Sequence, residues 1–325
     1  MSYTVTEETF SSLSSYWSEA RYDLNWPSIF VLPPWLRVWW QVFGSGAELY
    51  LRAVWRQSKI IGIAPLLVKE RTAAIIGSPD VCDYLDFIIT PGMENEFFTI
   101  LFDGLSRQGI IQLDLKSLRP DSTVLTHLVT LAQDRGYDVI CHNEDVSVEM
   151  DLPLSWDDYL AMLDKKQRHE IRRKLRRLWA AGKINHHCLV RRDAGDFMET
   201  FLMLFSLSRK EKAGFMTYRM TLFFRLITEA MAEVGLLRLG VLELEKWPVA
   251  MVIGFDYHDV MYLYNSAYNP EYDYLSVGLL SKALCLKESI EGGKKRWDFL
   301  KGGEQYKYRM GGMEIPLKCC QIILK

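Results

Sequence analysis

The chain has 325 residues, a formal net charge of −2 at pH 7 and a hydrophobic fraction of 49%, with 25% charged and 13% aromatic residues. This composition excludes a disordered chain, because a large apolar fraction with little net charge is typical of proteins that bury a core. The length favours two domains over one. A pI near 6.3 also argues against a dedicated nucleic-acid-binding protein.

The sequence lacks the marks of a secreted, membrane-spanning or metal-binding protein. Segment 1–23 has neither a basic start nor an apolar core, and no apolar run approaches the roughly 20 residues that span a bilayer, so a cytoplasmic protein is expected. Six cysteines without a CxxC pair predict reduced thiols. His186, His187 and Cys188 resemble a metal cluster, but neighbouring side chains of a strand point to opposite faces, so no metal is expected.

The first half of the chain has the pattern of an α/β unit. Residues 47–70 alternate apolar and polar side chains on both sides of a polar turn, which predicts a β-hairpin. The loop CDYLDF, a helix and a strand follow. Prolines and turn residues in DLPLSW indicate a linker, and Ser155 suits a helix N-cap. The predicted domains are therefore 1–154 and 155–325.

A strongly basic helix, DKKQRHEIRRKLRRL, opens the second half at residues 164–178. At about 100° per residue, its apolar side chains form one arc, composed of Ile171, Leu175, Leu178 and Trp179. Most cations lie opposite and are expected in solvent, including Lys166, Arg173 and Arg177. Arg168 and Arg172 flank the arc, so they are predicted to bind an anion such as a pyrophosphate, a phosphopantetheine or an RNA backbone. The alternative is that both arginines only cover apolar surface.

The second half repeats the order of the first. Residues 235–257 again predict a hairpin, followed by a strand, a helix and a strand. The hairpins align through Ile61 and Val249, and the last strands align through Asp114 and Asp298 at nearly the same offset. A shared order at a near-constant offset predicts two copies of one α/β unit.

Several segments carry a family resemblance. VAMVIGF, YLYNSAYNPE and LSVGLLSKALCLKESIEGGKKRWDFLKGGEQYKYRMGG resemble the second half of GNAT-superfamily acyltransferases of the CelD-like group, which is associated with bacterial exopolysaccharide synthesis and related to Fem-type peptidoglycan aminoacyltransferases. KKQRHEIRRKLRRL is similar to the arginine-rich segment that opens that domain. IIGIAPLL and CDYLDF in the first half resemble the same group. The resemblance is clearest from Trp156 to Gly312, and it implies two tandem GNAT-like α/β domains.

The resemblance implies a donor site at the start of the helix after YLYNSAYNPE. GNAT enzymes hold the pyrophosphate of coenzyme A with R/Q-x-x-G-x-G/A at a helix N-terminus. The matching positions here are Ser276, Val277, Gly278 and Leu279, which contain a single glycine. With Arg168 and Arg172 they are expected to bind acetyl-CoA or another acyl-CoA. The alternative is an ordinary helix with Ser276 as its N-cap.

The resemblance also implies catalytic and acceptor residues. In GGEQYKYRMGG, Lys307 is expected to polarise the acyl carbonyl and Glu304 to accept a proton, although a solvated Lys–Glu pair is the alternative. The remaining expected site residues are Tyr264, for protonating a leaving thiolate or stacking on substrate, Asn265 beside it, and Asp83, Tyr84 and Asp86, for holding an amine. A strand tyrosine and turn aspartates are also common without any function.

The predicted function is transfer of an acyl group, from acyl-CoA, to an amino group of a small molecule or saccharide, such as an amino sugar or polysaccharide precursor. A Fem-like enzyme that uses aminoacyl-tRNA is the alternative within enzymes, and the basic helix supports it. A non-catalytic GNAT-like accessory protein of polysaccharide synthesis is the alternative of another class, favoured by the lone glycine at Gly278.

Overall fold

The computed structural model describes residues 2–189, 194–208 and 216–324. The chain divides into two compact units, Met1–Val146 with Ile315–Lys325, and Ser147–Glu314. These bounds differ from the predicted domains 1–154 and 155–325 at both ends of the second unit. The first difference arises because one long strand crosses the boundary. The second arises because the C-terminal strand pairs within the first unit.

Mixed strand pairing builds the sheet of the first unit. Its strands are β1 (Tyr3–Glu7), β2 (Glu48–Arg56), β3 (Lys59–Lys69), β4 (Thr72–Ile75), β5 (Ile88–Ile89), β6 (Gln112–Leu118), the first part of β7 (Asp138–Asp151) and most of β13 (Met313–Ile323). They pair in the order β1-β2-β3-β4-β6-β13, with β5 beside β3. The β2–β3 pair is antiparallel and confirms the predicted first hairpin.

Helices cover this sheet with aromatic side chains. They are α1 (Phe10–Ser18), α2 (Pro33–Phe43), α3 (Glu94–Arg107) and α4 (Val129–Asp134), with shorter turns at Ile29–Val31 and Val124–Leu128. Phe97, Phe98 and Phe102 of α3 are completely buried. A Cβ added at Gly62 of β3 would lie 2.5 Å from the Phe97 ring, so this close packing of α3 requires glycine.

A disulfide in the first unit corrects one expectation from the sequence. Cys141 of β7 and Cys320 of β13 are bonded, with their Cα atoms 4.1 Å apart, although all six cysteines were expected to be reduced. The two residues are 179 positions apart. Only the pairing of these strands brings them together, and residue spacing does not reveal it. Cys82, Cys188, Cys285 and Cys319 are free thiols, as expected.

In the part of the chain that the structure describes, six strands, one of them shared with the first unit, form the β-structure of the second unit. Its strands are the end of β7, β8 (Ile184–Leu189), β9 (Leu237–Leu244), β10 (Trp247–Tyr257), β11 (Val260–Tyr268) and β12 (Arg296–Lys301), in the order β7-β12-β11-β10-β9-β8. The antiparallel β9–β10 pair confirms the second hairpin. Its helices are α5 (Trp156–Met162), α6 (Lys165–Trp179), α7 (Ala194–Ser208), α8 (Tyr218–Glu233), α9 (Val277–Glu291) and α10 (Gln305–Arg309), with a 3₁₀ turn at Pro270–Leu275.

The basic helix α6 forms where the sequence predicts it. The Asp164 side chain caps it by accepting a hydrogen bond of 2.8 Å from the Gln167 N–H. Ile171 and Leu178 of the predicted arc are buried, and Leu175 packs beside them. Trp179 departs from the arc, since 48% of it is exposed. The apolar face therefore attaches α6 to the unit, and its last residue projects outward.

Within the described residues, no helix combines the length and the apolar character that crossing a bilayer requires.

Candidate functional site

Strands β11 and β12 separate soon after they begin. They pair in parallel only from Val260–Tyr262 to Arg296–Asp298, although β11 continues to Tyr268 and β12 to Lys301. Beyond this short ladder the backbone groups of the two strands no longer bond to each other. The predicted residues Tyr264 and Asn265 lie on β11 beyond the end of this ladder.

Tyr264 occupies a β-bulge. Across β10 and β11, Ile253 faces Asn265 and Gly254 faces Leu263, so Tyr264 is the extra residue. Its ring packs 5.3 Å from that of Phe255 and 5.7 Å from that of Phe224, centroid to centroid. The half-buried Tyr264 ring therefore packs against apolar side chains.

Asn265 is also half-buried. Its side-chain oxygen accepts a hydrogen bond of 2.8 Å from the Ser266 N–H. The amide is thereby tied to its own backbone on β11.

The start of α9 differs from the expected capped helix. Ser276 has left-handed backbone angles, φ 59° and ψ 35°, and its side chain makes no capping hydrogen bond. The alternative in which the Ser276 side chain caps this helix is therefore wrong, because a capping residue typically has an extended backbone. The Ser276 hydroxyl instead accepts a hydrogen bond of 3.2 Å from Arg177 of α6. A cation that was expected in solvent thus reaches the helix start.

The space beside Gly278, where a donor pyrophosphate was expected, is occupied by a protein side chain. A Cβ added at Gly278 would lie 2.8 Å from the Tyr268 ring, so the glycine admits this ring. Val277 is completely buried. Leu279 is half-buried. Leu279 lines a cavity.

This cavity lies among α6, α9 and α10 and has a volume of about 320 Å³. We call it the unit-2 cavity. Its described lining residues are Lys166, Gln167, Glu170, Ile171, Lys174, Leu279, Tyr306, Arg309 and Met310. Three cations and one carboxylate thus surround an apolar floor. Such a lining favours an anion with an apolar part.

Glu170 pairs with cations of its own helix. Its carboxylate accepts hydrogen bonds of 3.0 and 2.9 Å from Arg173 and lies 3.3 Å from the Lys174 ammonium. These hydrogen bonds, chiefly that from Arg173, lower the pKa of Glu170 to about 2. The carboxylate therefore stays ionised beside the cavity and offsets only part of its positive charge.

Arg168 and Arg172 are not among the lining residues. Arg168 is half-buried, and Arg172 is exposed, with a guanidinium nitrogen 4.0 Å from a carboxylate oxygen of Asp157. At about 100° per residue, these two arginines lie on one flank of the apolar arc. Gln167, Glu170 and Lys174 lie on the opposite flank. Helical periodicity alone does not distinguish which of these two flanks faces the unit-2 cavity. The packing of α9 and α10 determines which one faces a cavity.

Lys307 is a buried ammonium, 2% exposed. It donates hydrogen bonds of 2.9, 2.7 and 2.9 Å to the carbonyls of Leu300, Lys301 and Gly302. One oxygen of Glu304, whose side chain is 57% exposed, lies 2.9 Å away. These contacts occupy all three N–H groups of an ammonium. The expected catalytic roles of Lys307 and Glu304 stay predictions, which this arrangement does not favour.

Sequence reasoning missed Lys282. This lysine of α9 is buried, donates a hydrogen bond of 2.6 Å to the Gly278 carbonyl, and lies 5.1 Å from the centre of the Tyr306 ring. It places a positive charge behind a ring that lines the unit-2 cavity. The available signal was a lysine inside the apolar run VGLLSKALCL.

The first unit has a polar cavity of about 240 Å³, the unit-1 cavity. Its described lining residues are Asn25, Pro27, Ser28, Tyr84, Leu85, Asp86, Arg119, Asp121, Ser122 and Thr123. Tyr84 and Asp86 were predicted from CDYLDF. Asp83 is half-buried and lies outside the lining.

Asp86 is the buried acid of this cavity, 6% exposed. Its carboxyl group accepts hydrogen bonds of 2.7 and 2.6 Å from the Thr123 N–H and hydroxyl, and one of 2.9 Å from the Phe87 N–H. Burial raises its pKa to about 6, although these hydrogen bonds oppose the rise. The site therefore holds a carboxyl that gains and loses a proton near neutrality.

Tyr84 and Arg119 form the other wall. The Arg119 guanidinium lies 4.9 Å from the centre of the Tyr84 ring, and its Nε lies 3.1 Å from an oxygen of Asp121. The Ser28 hydroxyl donates a hydrogen bond of 3.1 Å to the Tyr84 carbonyl. This wall combines a cation, an aromatic face and hydroxyls beside the Asp86 carboxyl.

Comparison with known proteins bears on the fold. The crystal structure of FemX is similar over 98% of this chain and 96% of its own, with a TM-score of 0.67 and 13% identity. A protein of unknown function from Bacteroides thetaiotaomicron is similar over 98% and 99%, with a TM-score of 0.62 and 9% identity. The predicted fold class, two tandem GNAT-like α/β domains, is confirmed.

A third structure is the C-terminal domain of a putative lysylphosphatidylglycerol synthetase from Agrobacterium fabrum, similar over 82% of this chain and 81% of its own, with a TM-score of 0.55 and 9% identity. No curated protein matches the chain by sequence. Residues 165–308, which contain β11, β12, the start of α9 and the lining of the unit-2 cavity except Arg309 and Met310, match the family model described as an acetyltransferase (GNAT) domain. The second unit therefore contains a GNAT-superfamily domain.

Proposed function

We propose that the protein is an N-acyltransferase and that its unit-2 cavity binds the phosphate-bearing part of an acyl-CoA, such as acetyl-CoA. The observation that carries this proposal is the placement of Lys166, Lys174 and Arg309 around one cavity, the first two inside the GNAT-superfamily match and Arg309 directly after it. Three cations against one carboxylate favour a polyanion. Ile171 and Leu279 provide apolar surface for the rest of the donor.

The cavity supports a donor site made chiefly by side chains. The Tyr268 ring occupies the space beside Gly278, where a glycine-rich turn would receive a pyrophosphate. The cations instead come from α6 and α10, which flank the first turn of α9. Each charge-assisted hydrogen bond to a phosphate contributes about 1.5–3 kcal/mol, so loss of one cation is expected to weaken binding about tenfold or more.

The acceptor in this proposal is an amine held in the unit-1 cavity. Asp86, above its pKa of about 6, is an anion that an ammonium neutralises, and the buried Tyr84 lines the same cavity with the Arg119 guanidinium over its ring. Asp83, Asn265 and Tyr264 are further acceptor or catalytic residues of the proposal. The resemblance to the CelD-like group favours an amino sugar or polysaccharide precursor.

To test the donor site, the protein is titrated with coenzyme A and with acetyl-CoA. Binding is measured by calorimetry and by the shift in melting temperature. Lys174→Ala is expected to weaken binding about tenfold. Arg172→Ala is the matched control, because it removes a cation of the same helix outside the cavity, and we expect less than a twofold change. Equal effects of the two variants, or no binding by the unmodified chain, would refute an acyl-CoA site in this cavity.

Two other functions are favoured by particular observations. The fold similarity to FemX and the cations of α6 favour an aminoacyl-tRNA donor. Binding of bulk tRNA with a steep salt dependence, in place of coenzyme A, would support that function. The internally bonded Lys307 and the filled space at Gly278 favour a non-catalytic accessory protein. Absence of both ligands would support that one.

A further inference from the structure

Three large aromatic side chains project from one end of the second unit. Trp247 is 75% exposed, Tyr274 is 64% exposed and Trp179 is 48% exposed. Tryptophan is usually well covered in a folded domain, and exposed aromatic groups commonly indicate an interaction surface. We call these three residues the aromatic end.

Backbone contacts hold the segments of the aromatic end together. Trp179 closes α6. Four residues later, the Lys183 carbonyl accepts a hydrogen bond of 2.9 Å from the Glu245 N–H, and the Lys183 N–H donates one of 2.8 Å to the Glu245 carboxylate. Glu245 is two residues from Trp247, in the turn between β9 and β10.

The segment of Tyr274 approaches from the other side. The Asn269 N–H donates to the Val249 carbonyl at 2.9 Å, which sets the Pro270–Leu275 turn beside the start of β10. The same turn contacts α6, and Ser276 bonds Arg177. The three aromatic residues thus come from a helix end, a hairpin tip and a 3₁₀ turn that share one end of the unit.

Cations surround these rings. Arg176, Arg177, Lys183 and Lys246 are all exposed within four residues of one of the aromatic side chains. The nearby acids are Glu245, Glu271 and Asp273. The four cations therefore exceed the three carboxylates by one, and the aromatic end carries a small net positive charge.

We propose that the aromatic end docks on a bilayer surface that contains anionic phospholipids. Tryptophan and tyrosine favour the headgroup region, where the ring is buried and the polar edge stays hydrated. Lysine and arginine near an anionic leaflet gain attraction that falls off within a Debye length. The tips of a hairpin and of a helix lie in the headgroup region, where water hydrates their unpaired backbone groups and these groups do not enter the hydrocarbon. This surface is separate from both cavities and goes beyond the proposed acyl transfer.

The arrangement fits a bilayer better than RNA or a second copy of the chain. RNA platforms stack successive bases along a positively charged groove. Here the rings stand on three separate tips. A second copy would meet the same four cations on its own aromatic end, which disfavours symmetric pairing through this surface.

The experiment is cosedimentation of the full chain with vesicles of phosphatidylcholine alone and of phosphatidylcholine mixed with phosphatidylglycerol. We expect the anionic vesicles to bind at least tenfold more strongly, with a salt-dependent affinity. The double variant Trp179→Ser, Trp247→Ser is expected to lose about tenfold or more in partitioning. Lys183→Ala with Lys246→Ala is expected to remove about tenfold, and to do so only on anionic vesicles.

Matched controls are the last residue of α5, Met162, and the first residue of α6, Lys165, which is about 20 Å from Trp179 by the length of the helix. Met162→Ser removes an exposed apolar side chain, and Lys165→Ala removes an exposed cation. Both are expected to leave vesicle binding unchanged. All substituted residues are exposed, so unchanged melting curves verify folding. Unchanged coenzyme A binding in these variants separates this proposal from the donor site.

Three results would overturn the docking proposal. The first is the same binding to both kinds of vesicle, or to neither. The second is a loss of tRNA affinity, without vesicle binding, in the tryptophan variant, which would assign the aromatic end to RNA. The third is a concentration-dependent dimer that the tryptophan variant abolishes, which would assign it to a second copy.

Discussion

The two cavities place charge in opposite ways. The unit-1 cavity contains a carboxyl, Asp86, that is buried and has its pKa raised to about 6 by burial. The unit-2 cavity contains Glu170, whose pKa is lowered to about 2 by hydrogen bonds from cations. One acid is therefore costly to ionise and the other is costly to protonate.

This difference shows how little residue type reveals about a site. Among the described residues, Asp86 has backbone and hydroxyl donors and no cation within hydrogen-bonding distance, so its charge stays sensitive to a bound amine. Glu170 belongs to a helix in which neighbouring cations satisfy it. An unneutralised acid suits the recognition of a cation, and an excess of cations suits that of a phosphate. The following predictions test this contrast.

The largest expected effect concerns the buried charge beside the unit-2 cavity. Lys307→Met leaves the carbonyls of Leu300, Lys301 and Gly302 without their donor, and we expect a loss of about 3 kcal/mol in the free energy of unfolding. Urea denaturation measures it. Lys287→Met, at a partly exposed lysine of α9, is the control and is expected to change stability by less than about 0.5 kcal/mol. A fully stable Lys307→Met protein without activity would instead favour a catalytic role.

The next effect is the pH dependence of the unit-1 cavity. The pKa of Asp86 is raised from an unfolded value near 3.9 to about 6, so the folded state binds the proton more tightly and stability falls as pH rises through this window. The loss is about 3 kcal/mol at neutral pH. Unfolding at several pH values should show this slope in the unmodified chain and its absence in Asp86→Asn. Parallel curves for both proteins would mean that Asp86 is not a buried, proton-binding acid.

A smaller effect is expected at the start of α9. Gly278→Ala places a methyl group 2.8 Å from the Tyr268 ring, and overpacking of this kind costs about 1–2 kcal/mol. Gly195→Ala is the control, because nothing lies within 4 Å of its added Cβ. Thermal unfolding of both variants measures the difference. A strong loss of coenzyme A binding in a stable Gly278→Ala protein would show that the glycine contacts the donor.

The smallest effect is that of Glu170. Its pKa is lowered, so it contributes stability above an unfolded value near 4.3, and this contribution disappears as pH falls toward about 2. Solvent screening of this exposed pair limits the contribution to about 0.5 kcal/mol. Glu170→Gln should therefore remove a weak slope of the opposite sign to that of Asp86. A steep pH dependence of stability would mean that Glu170 is less screened by solvent than its exposed surface indicates.

The fold was largely predictable from local patterns, and the sites were not. The hairpins β2–β3 and β9–β10 and the helix α6 lie where alternation and helical periodicity predict them. Tyr84 and Asp86, which the family resemblance implied as site residues, line a cavity, and their role in acceptor binding stays a prediction. The unit-2 cavity used Lys166 and Lys174 in place of Arg168 and Arg172, because periodicity identifies the apolar arc but not which flank meets α9 and α10.

The sequence by itself determined the α/β elements, their repeated order and the concentration of cations on α6, since these depend on interactions between residues close in the chain. Tertiary structure alone decided the Cys141–Cys320 bond, the return of β13 to the first unit and the burial of Lys307 under three carbonyls. Each of these depends on packing and on pairing between strands or turns that local propensity leaves open, so long-range contacts had to be known before the chemistry of the sites could be read.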